Sequence, residues 1–166
     1  GMKVLDIGCG AGVMSAWIAE QVGPKGVVVA IDNNDKPLLA AQEITITHNI
    51  RNMAVRLHSA YDLISLGIEF DFIYCRFTLN HVVRPTDIVT AAFNQLKDGG
   101  IFVAEASIAN QSFAFPFTSA WGQQRWKVKP EEHNVEGKKR DENYGLKLHH
   151  AMHQAGFQNL STQLFQ

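Results

Sequence analysis

Val4-Leu5-Asp6-Ile7-Gly8-Cys9-Gly10-Ala11-Gly12 runs from a short apolar stretch straight into a turn with glycine at every second position. An apolar run this short, stopped by glycine, reads as a buried strand. Glycines 8, 10 and 12 let the backbone turn tightly and approach a ligand closely. Directly beyond them the period becomes helical, with Val13, Met14, Trp17, Ile18 and Val22 predicted on one buried face. A helix beginning there offers amides to an anionic group. Strand, glycine turn and helix together are the opening of a ligand-binding α/β unit, and the rest of the chain is read outward from them.

Further apolar, β-branched runs at Val27 to Ile31, Met53 to Leu57, Phe70 to Tyr74 and Ile101 to Ala104 join Lys3 to Ile7 as five expected strands. Between them Leu38, Ala41 and Ile44 mark a second helix. Ile88, Ala92 and Leu96, with Val89 and Phe93 beside them, mark a third over Pro85 to Leu96, stopped by Asp98-Gly99-Gly100. Strand and helix alternate, and the strands are apolar throughout. The expected class is therefore α/β: a Rossmann-like, doubly wound, mostly parallel sheet with helices on both faces. A single domain over residues 2–166 is expected, with a long insertion at about 107–144. After the insertion come a helix near Gly145 to Ala155, capped by Gly156, and a strand near Gln158 to Phe165. Gly1 ahead of Met2 reads as a residue left by a cleaved tag and is set aside.

The totals narrow the functional classes. With 166 residues, 46% of them hydrophobic, the chain suffices for one continuous core. Lys and Arg number 15 against 16 Asp and Glu, so no global field draws in nucleic acid or an anionic membrane. No apolar stretch approaches the roughly 20 residues that span a bilayer. Two cysteines, Cys9 and Cys75, at expected strand ends suit a reducing, cytoplasmic setting better than a disulfide framework.

In an open parallel sheet ligands bind beyond the carboxyl ends of the strands, where the strand order reverses, here between the first and fourth strands. Asp32 closes the second strand, from where a carboxylate accepts hydrogen bonds from ribose hydroxyls. The glycines fall as G-x-G-x-G, out of register with the G-x-G-x-x-G of nicotinamide sites, so another adenosine ligand is favoured over a dinucleotide. With Asp32 in place, Val4 to Gly12 resembles the first motif of the class I S-adenosylmethionine (SAM) dependent methyltransferases, and Leu96-Lys97-Asp98-Gly99-Gly100 before the fifth strand fits it as well. Phe70-Asp71-Phe72-Ile73-Tyr74-Cys75-Arg76-Phe77-Thr78-Leu79-Asn80-His81-Val82 is similar to the small-molecule branch of that class, which includes quinone and antibiotic-pathway enzymes.

The resemblance implies SAM as cofactor and a small-molecule methyl acceptor. It places Asp6, Gly8, Cys9, Gly10 and Gly12 at the methionine end, Asp32 at the ribose and Asn33 at the adenine edge. Ser59 and Ala60 would sit at the adenine rim, where the family commonly has Asp before a small residue, and Tyr61 would cover the adenine or join the core. Cys75 and Arg76 would present backbone carbonyls to the ligand's amino group.

Methyl transfer from a sulfonium needs alignment and exclusion of water more than a nucleophilic side chain. A base matters only where the acceptor keeps its proton until late. His81, beyond the fourth strand, is the first candidate, because imidazoles exchange protons near neutral pH, although a histidine packing the next helix reads the same way. Glu105, leaving the fifth strand, is the second, as a substrate-positioning acid or a partner for neighbouring amides. Phe113, Phe115, Phe117, Trp121 and Trp126 would wall an apolar acceptor pocket or cover core surface. His149 and His153 share a helical face, but no Glu of the zinc pattern lies between them, and no metal is expected. Lys138-Lys139-Arg140 reads as a solvated loop.

The family commonly carries one or two helices before the first strand and a further strand after the last one read here. This chain has neither, so its sheet edge and cleft are expected to be covered by another copy, in a homodimer. The competing readings are a fragment of a longer protein and a SAM-binding domain that acts through a partner without transferring the methyl group. A nicotinamide dehydrogenase stands third.

Overall fold

The computed structural model describes residues 1–108, 134–135 and 138–165. Five strands, β1 (Lys3–Ile7), β2 (Val27–Asp32), β3 (Met53–Leu57), β4 (Phe70–Arg76) and β5 (Leu96–Glu105), form one sheet in the order β3-β2-β1-β4-β5. Every neighbouring pair in it is parallel. Among the described residues four α-helices accompany them: α1 (Val13–Val22), α2 (Asp35–Thr47), α3 (Pro85–Gln95) and α4 (Leu148–Ala155). The strand order reverses between β1 and β4, so the ends of these two strands flank the crevice that the doubly wound fold reserves for ligands.

Each sheet face has its own core. Leu5, Ile7, Val29, Ile31, Ile73 and Cys75 point to the side of α3 and α4, where Ile88, Val89, Ala92 and Ala151 cover them. Val4, Val28, Ala30 and Tyr74 point to the side of α1 and pack on Ile18 and Ala19. Period-two alternation with both sets apolar is the reason the strands read as continuous hydrophobic runs.

Four expectations from the sequence change. The buried stripe of α1 is Ser15, Ile18 and Ala19, whereas Val13 and Trp17 are 64% and 54% exposed. Small residues let the helix lie close enough for the Ser15 hydroxyl to donate to Asp6 at 2.5 Å, which turns the larger residues outward. Leu96 is strand rather than helix: its ψ of 144° is extended, and it pairs with Phe70. The Asp98-Gly99-Gly100 stop therefore lies inside β5, in a register shift opposite Phe70 and Phe72. Residues 158–165 form no strand. Instead of finding a ladder partner, they run past α4, where Thr162 Oγ1 lies 2.9 Å from His149 Nδ1, and Leu164 and Phe165 are over 80% exposed. Lys138–Lys139, read as open loop, pairs antiparallel with Asn134–Val135 as a two-residue ladder.

The two ends of the insertion meet at one residue. Asn80, 3% exposed, donates through Nδ2 to the carbonyls of Ser107 and Glu142, each at 3.0 Å, and accepts from the Ser107 amide at 2.8 Å. The aromatic residues from Phe113 to Trp126, expected as pocket walls, lie outside the described residues.

Gly8 carries the tightest backbone requirement. Its φ is +73°, and a Cβ built on it would lie 2.0 Å from Thr78 Oγ1, which itself donates to the Ile7 carbonyl at 3.2 Å. Gly8→Ala is expected to cost about 3 kcal/mol or more, from left-handed backbone strain plus overpacking. Thr78→Ala alone should destabilise through the lost hydrogen bond, by about 1 kcal/mol. Added to Gly8→Ala, it should instead restore stability by relieving the overlap. Urea denaturation of the two single variants and the double variant checks this reversal of sign.

Candidate cofactor site

At the carboxyl ends of β1 and β2 the glycine turn is tied to its neighbour strand by its own backbone. The amides of Gly8 and Cys9 both donate to the Ile31 carbonyl, at 2.8 and 2.9 Å, and the Gly10 amide donates to Asp32 Oδ2 at 3.0 Å. The other carboxylate oxygen of Asp32 accepts from the Asn34 amide at 2.9 Å. The Gly12 amide turns back to the Cys9 carbonyl. Four of the five amides from Gly8 to Gly12 are thus spent within the protein, and the donors expected for an anion belong to the start of α1, beyond this turn.

Beside this joint lies a cavity of about 410 Å³, within the range of small-ligand sites. Of the residues singled out from the sequence, Gly8, Asp32, Asn33, Ser59, Ala60, Tyr61, Arg76 and His81 line it. Gly10 is not itself a lining residue but is bonded to Asp32, which is, and nothing lies within 4 Å of where a Cβ on it would project. Asp6 and Cys75 lie in the sheet behind it, at 3% and 0% exposure. Cys9, Gly12 and Glu105 are not among its lining residues.

Burial dominates the chemistry behind the cavity wall. It pushes the Asp6 carboxyl up to about 6, partly offset by the Ser15 hydroxyl and the Arg76 guanidinium. Burial likewise raises the thiols of Cys9 and Cys75 to about 12, so neither is a nucleophile at neutral pH. Both cysteines are free. Glu105 does not reach the cavity: its Oε1 accepts a short hydrogen bond from the Tyr74 hydroxyl. Burial first, and Glu105 second, hold that phenol well above its ordinary range.

Several lining residues were not singled out from the sequence, among them His58, Phe77 and Thr78. His58 follows β3 directly and its Nε2 lies 2.8 Å from the Asp62 carbonyl, so its proximity to Ser59 was the available signal. Thr78 was signalled by lying just past β4, opposite the glycine turn. Phe77 had no signal: it adopts φ +55°, rare for a bulky side chain, while its amide donates to the Glu105 carbonyl at 2.8 Å. Tyr61 is braced from outside by the Arg84 guanidinium, 4.8 Å from its ring centroid, and its hydroxyl accepts from the Arg84 amide at 3.2 Å.

Among solved structures, a SAM dependent methyltransferase from Aquifex aeolicus superposes with a TM-score of 0.64 at 22% identity, covering 93% of this chain and 71% of that one. PKMT2 from Rickettsia typhi in complex with AdoHcy gives 0.58 at 28% identity, over 62% of this chain and 20% of that one. A ubiquinone biosynthesis O-methyltransferase of Pseudomonas fluorescens (strain Pf0-1) is 30% identical over 122 residues, which is 72% of this chain and 51% of that protein. The chain spans about half the length of the curated relatives it matches. The methyltransferase domain family matches residues 1–158. With that match and the β3-β2-β1-β4-β5 parallel sheet, the chain belongs to the methyltransferase domain family and has the Rossmann-like fold of its class I, SAM-dependent members.

Proposed function

We propose that this chain binds SAM in the cavity beside Gly8 and Asp32 and directs its methyl group to a small-molecule acceptor. The observation that carries the reading is the joint between Gly10 and Asp32, 3.0 Å across, at the edge of a cavity about 410 Å³ in volume. Each Asp32 oxygen has one protein donor, which leaves lone pairs for a ribose diol. Asn33, Ser59, Ala60 and Tyr61 are positioned to line the adenine, and the open space over Gly10 fits the methionine end. SAM, when bound, supplies an already activated methyl group. The chain's own work is then to orient the donor and acceptor, exclude water and, for a protonated acceptor, remove a proton, a role assigned to His81. The matched relative's name makes a hydroxyl oxygen the first acceptor class to test. Glu105, held by Tyr74, acts from behind the site. The free cysteines, Cys75 buried and Cys9 half-buried, fit a cytoplasmic setting, and no described helix is long and apolar enough to cross a membrane.

Asp32→Ala should weaken S-adenosylhomocysteine binding by about 1 to 3 kcal/mol, the loss of hydrogen bonds to a charged group. An unchanged dissociation constant in calorimetry would move the ribose elsewhere. With SAM present, release of S-adenosylhomocysteine on a panel of phenols, catechols and amines tests turnover, and binding without release on any acceptor favours the non-catalytic reading.

Asp6 gives the binding a pH signature. Its carboxyl is raised to about 6 in the free protein, and a ligand ammonium over Gly8 to Gly10 favours the ionised form, so binding expels a proton at low pH. Affinity for S-adenosylhomocysteine should be full above pH 7 and fall about three- to tenfold by pH 5. In Asp6→Asn it should be weaker and flat over that window.

A homodimer is part of the proposal. β5 is an edge strand, with Ile101 and Val103 58% and 38% exposed, and a second copy is assigned to cover it. Light scattering should return close to twice the 18.5 kDa chain mass, and a monomer at micromolar concentration would remove this element.

A further inference from the structure

We propose that the Arg76 side chain holds the α-carboxylate of the cofactor's methionine end, so that the mouth of β4 reads a zwitterion. This rests on the SAM reading above and assigns a role to the guanidinium, distinct from the backbone carbonyl role that the family resemblance implies for the same residue.

Strand register puts the relevant groups on one face. Asp6 pairs with Tyr74 and Arg76 with Glu105, and alternation along β4 brings Phe72, Tyr74 and Arg76 to the side of α1, where Tyr74 packs with Val4 and Ile18. At the carboxyl edge of the sheet this face therefore reads acid, phenol, guanidinium, acid. The field of Arg76 reaches both Asp6 and Tyr74. Yet Arg76 is exposed, and although its carbonyl accepts from the Thr78 hydroxyl at 3.3 Å, its guanidinium makes no hydrogen bond or ion pair with any described residue and lies over the Phe77 ring, 5.8 Å from the centroid.

A side-chain partner for the anion matters here because the glycine turn has spent most of its own amides. Gly8, Cys9, Gly10 and Gly12 have committed their amides to Ile31, Asp32 and Cys9. Among the described residues that line the cavity, Arg76 is the only lysine or arginine. The ligand's amino acid end presents one ammonium and one carboxylate. Asp6, behind the glycine turn, favours the first, and a planar guanidinium with paired donors matches the second. Phe77 sets the aim: its left-handed backbone and its amide bond to the Glu105 carbonyl fix where β4 stops, which leaves Arg76 on the last ladder position with the aromatic ring beneath it.

Calorimetry with two probes tests the assignment on the wild-type chain, Arg76→Gln and Arg76→Lys. S-adenosylhomocysteine carries the amino acid end; 5′-methylthioadenosine keeps the adenosine and sulfur but lacks it. Arg76→Gln should lose at least tenfold in affinity for S-adenosylhomocysteine and stay within twofold for 5′-methylthioadenosine, with Arg76→Lys between. The assignment is overturned if Arg76→Gln binds S-adenosylhomocysteine within twofold of wild type, as a carbonyl-only or acceptor-facing role requires. Equal losses for both probes overturn it too, since they mark damage to the adenosine pocket. Wild-type protein that binds neither probe instead overturns the cofactor reading, and the Arg76 role with it.

Discussion

One carbonyl organises this end of the molecule. Ile31 O, the penultimate acceptor of β2, takes the amides of both Gly8 and Cys9, and the next residue along, Asp32, takes the amide of Gly10. A turn that leaves β1 is thereby clamped to the end of β2 before α1 begins. Thr78 closes the other side, from the end of β4, with its hydroxyl on the Ile7 carbonyl and its side chain filling the space a Cβ on Gly8 would need. The crevice between β1 and β4 is thus held open by contacts on both flanks that do not depend on a ligand. Because the donors of the turn are consumed in making the clamp, its outer surface offers shape and open space more than hydrogen-bond donors.

Much of this was legible in the sequence, for a definite reason. β1 and β3 have the bounds that their apolar runs indicate; β1 is buried from Val4 to Ile7, and β3, on the sheet edge, holds its register against β2 from Met53 to Leu57. Asp32 and the glycine turn were legible as partners because the fold places every βα turn at the same sheet edge. What was not legible depends on choices between side chains of equal pattern. On α1 a hydrophobic count favoured Val13 and Trp17, yet the helix buries Ser15, a polar residue, because Asp6 in the strand below needs a donor. Leu96 fits the stripe of α3 and was captured by β5 instead, where pairing with Phe70 offers a ladder that one more helical residue does not.

Glu105 shows the same limit at the site. Period-two alternation sends it to the face of α1, but only coordinates reveal that Tyr74, on the neighbouring strand, claims its carboxylate. Asn80 is the converse case. It was quoted only as part of a motif, and it proves to be the buried amide through which β5's exit and the return of the chain at Glu142 are joined. A single Asn between a strand end and a helix has no periodicity to mark it. Its significance comes from satisfying carbonyls that are distant in sequence, and such satisfaction is a property of the folded state alone.

The charges around the crevice have a consequence beyond affinity. Asp32 lines the cavity while Asp6 and Glu105 lie behind its wall, so acids outnumber the one guanidinium of Arg76 around the crevice. The proposed donor carries two positive groups and one negative, and methyl transfer removes one of the positives. Acids that lie partly beneath the surface interact through protein rather than water, and lose less of that attraction to screening than exposed pairs do. An arrangement of this kind distinguishes donor from product by charge at a distance from the methyl group. It favours entry of the cation over retention of the neutral thioether, and needs no side chain in contact with the reacting carbon to do so.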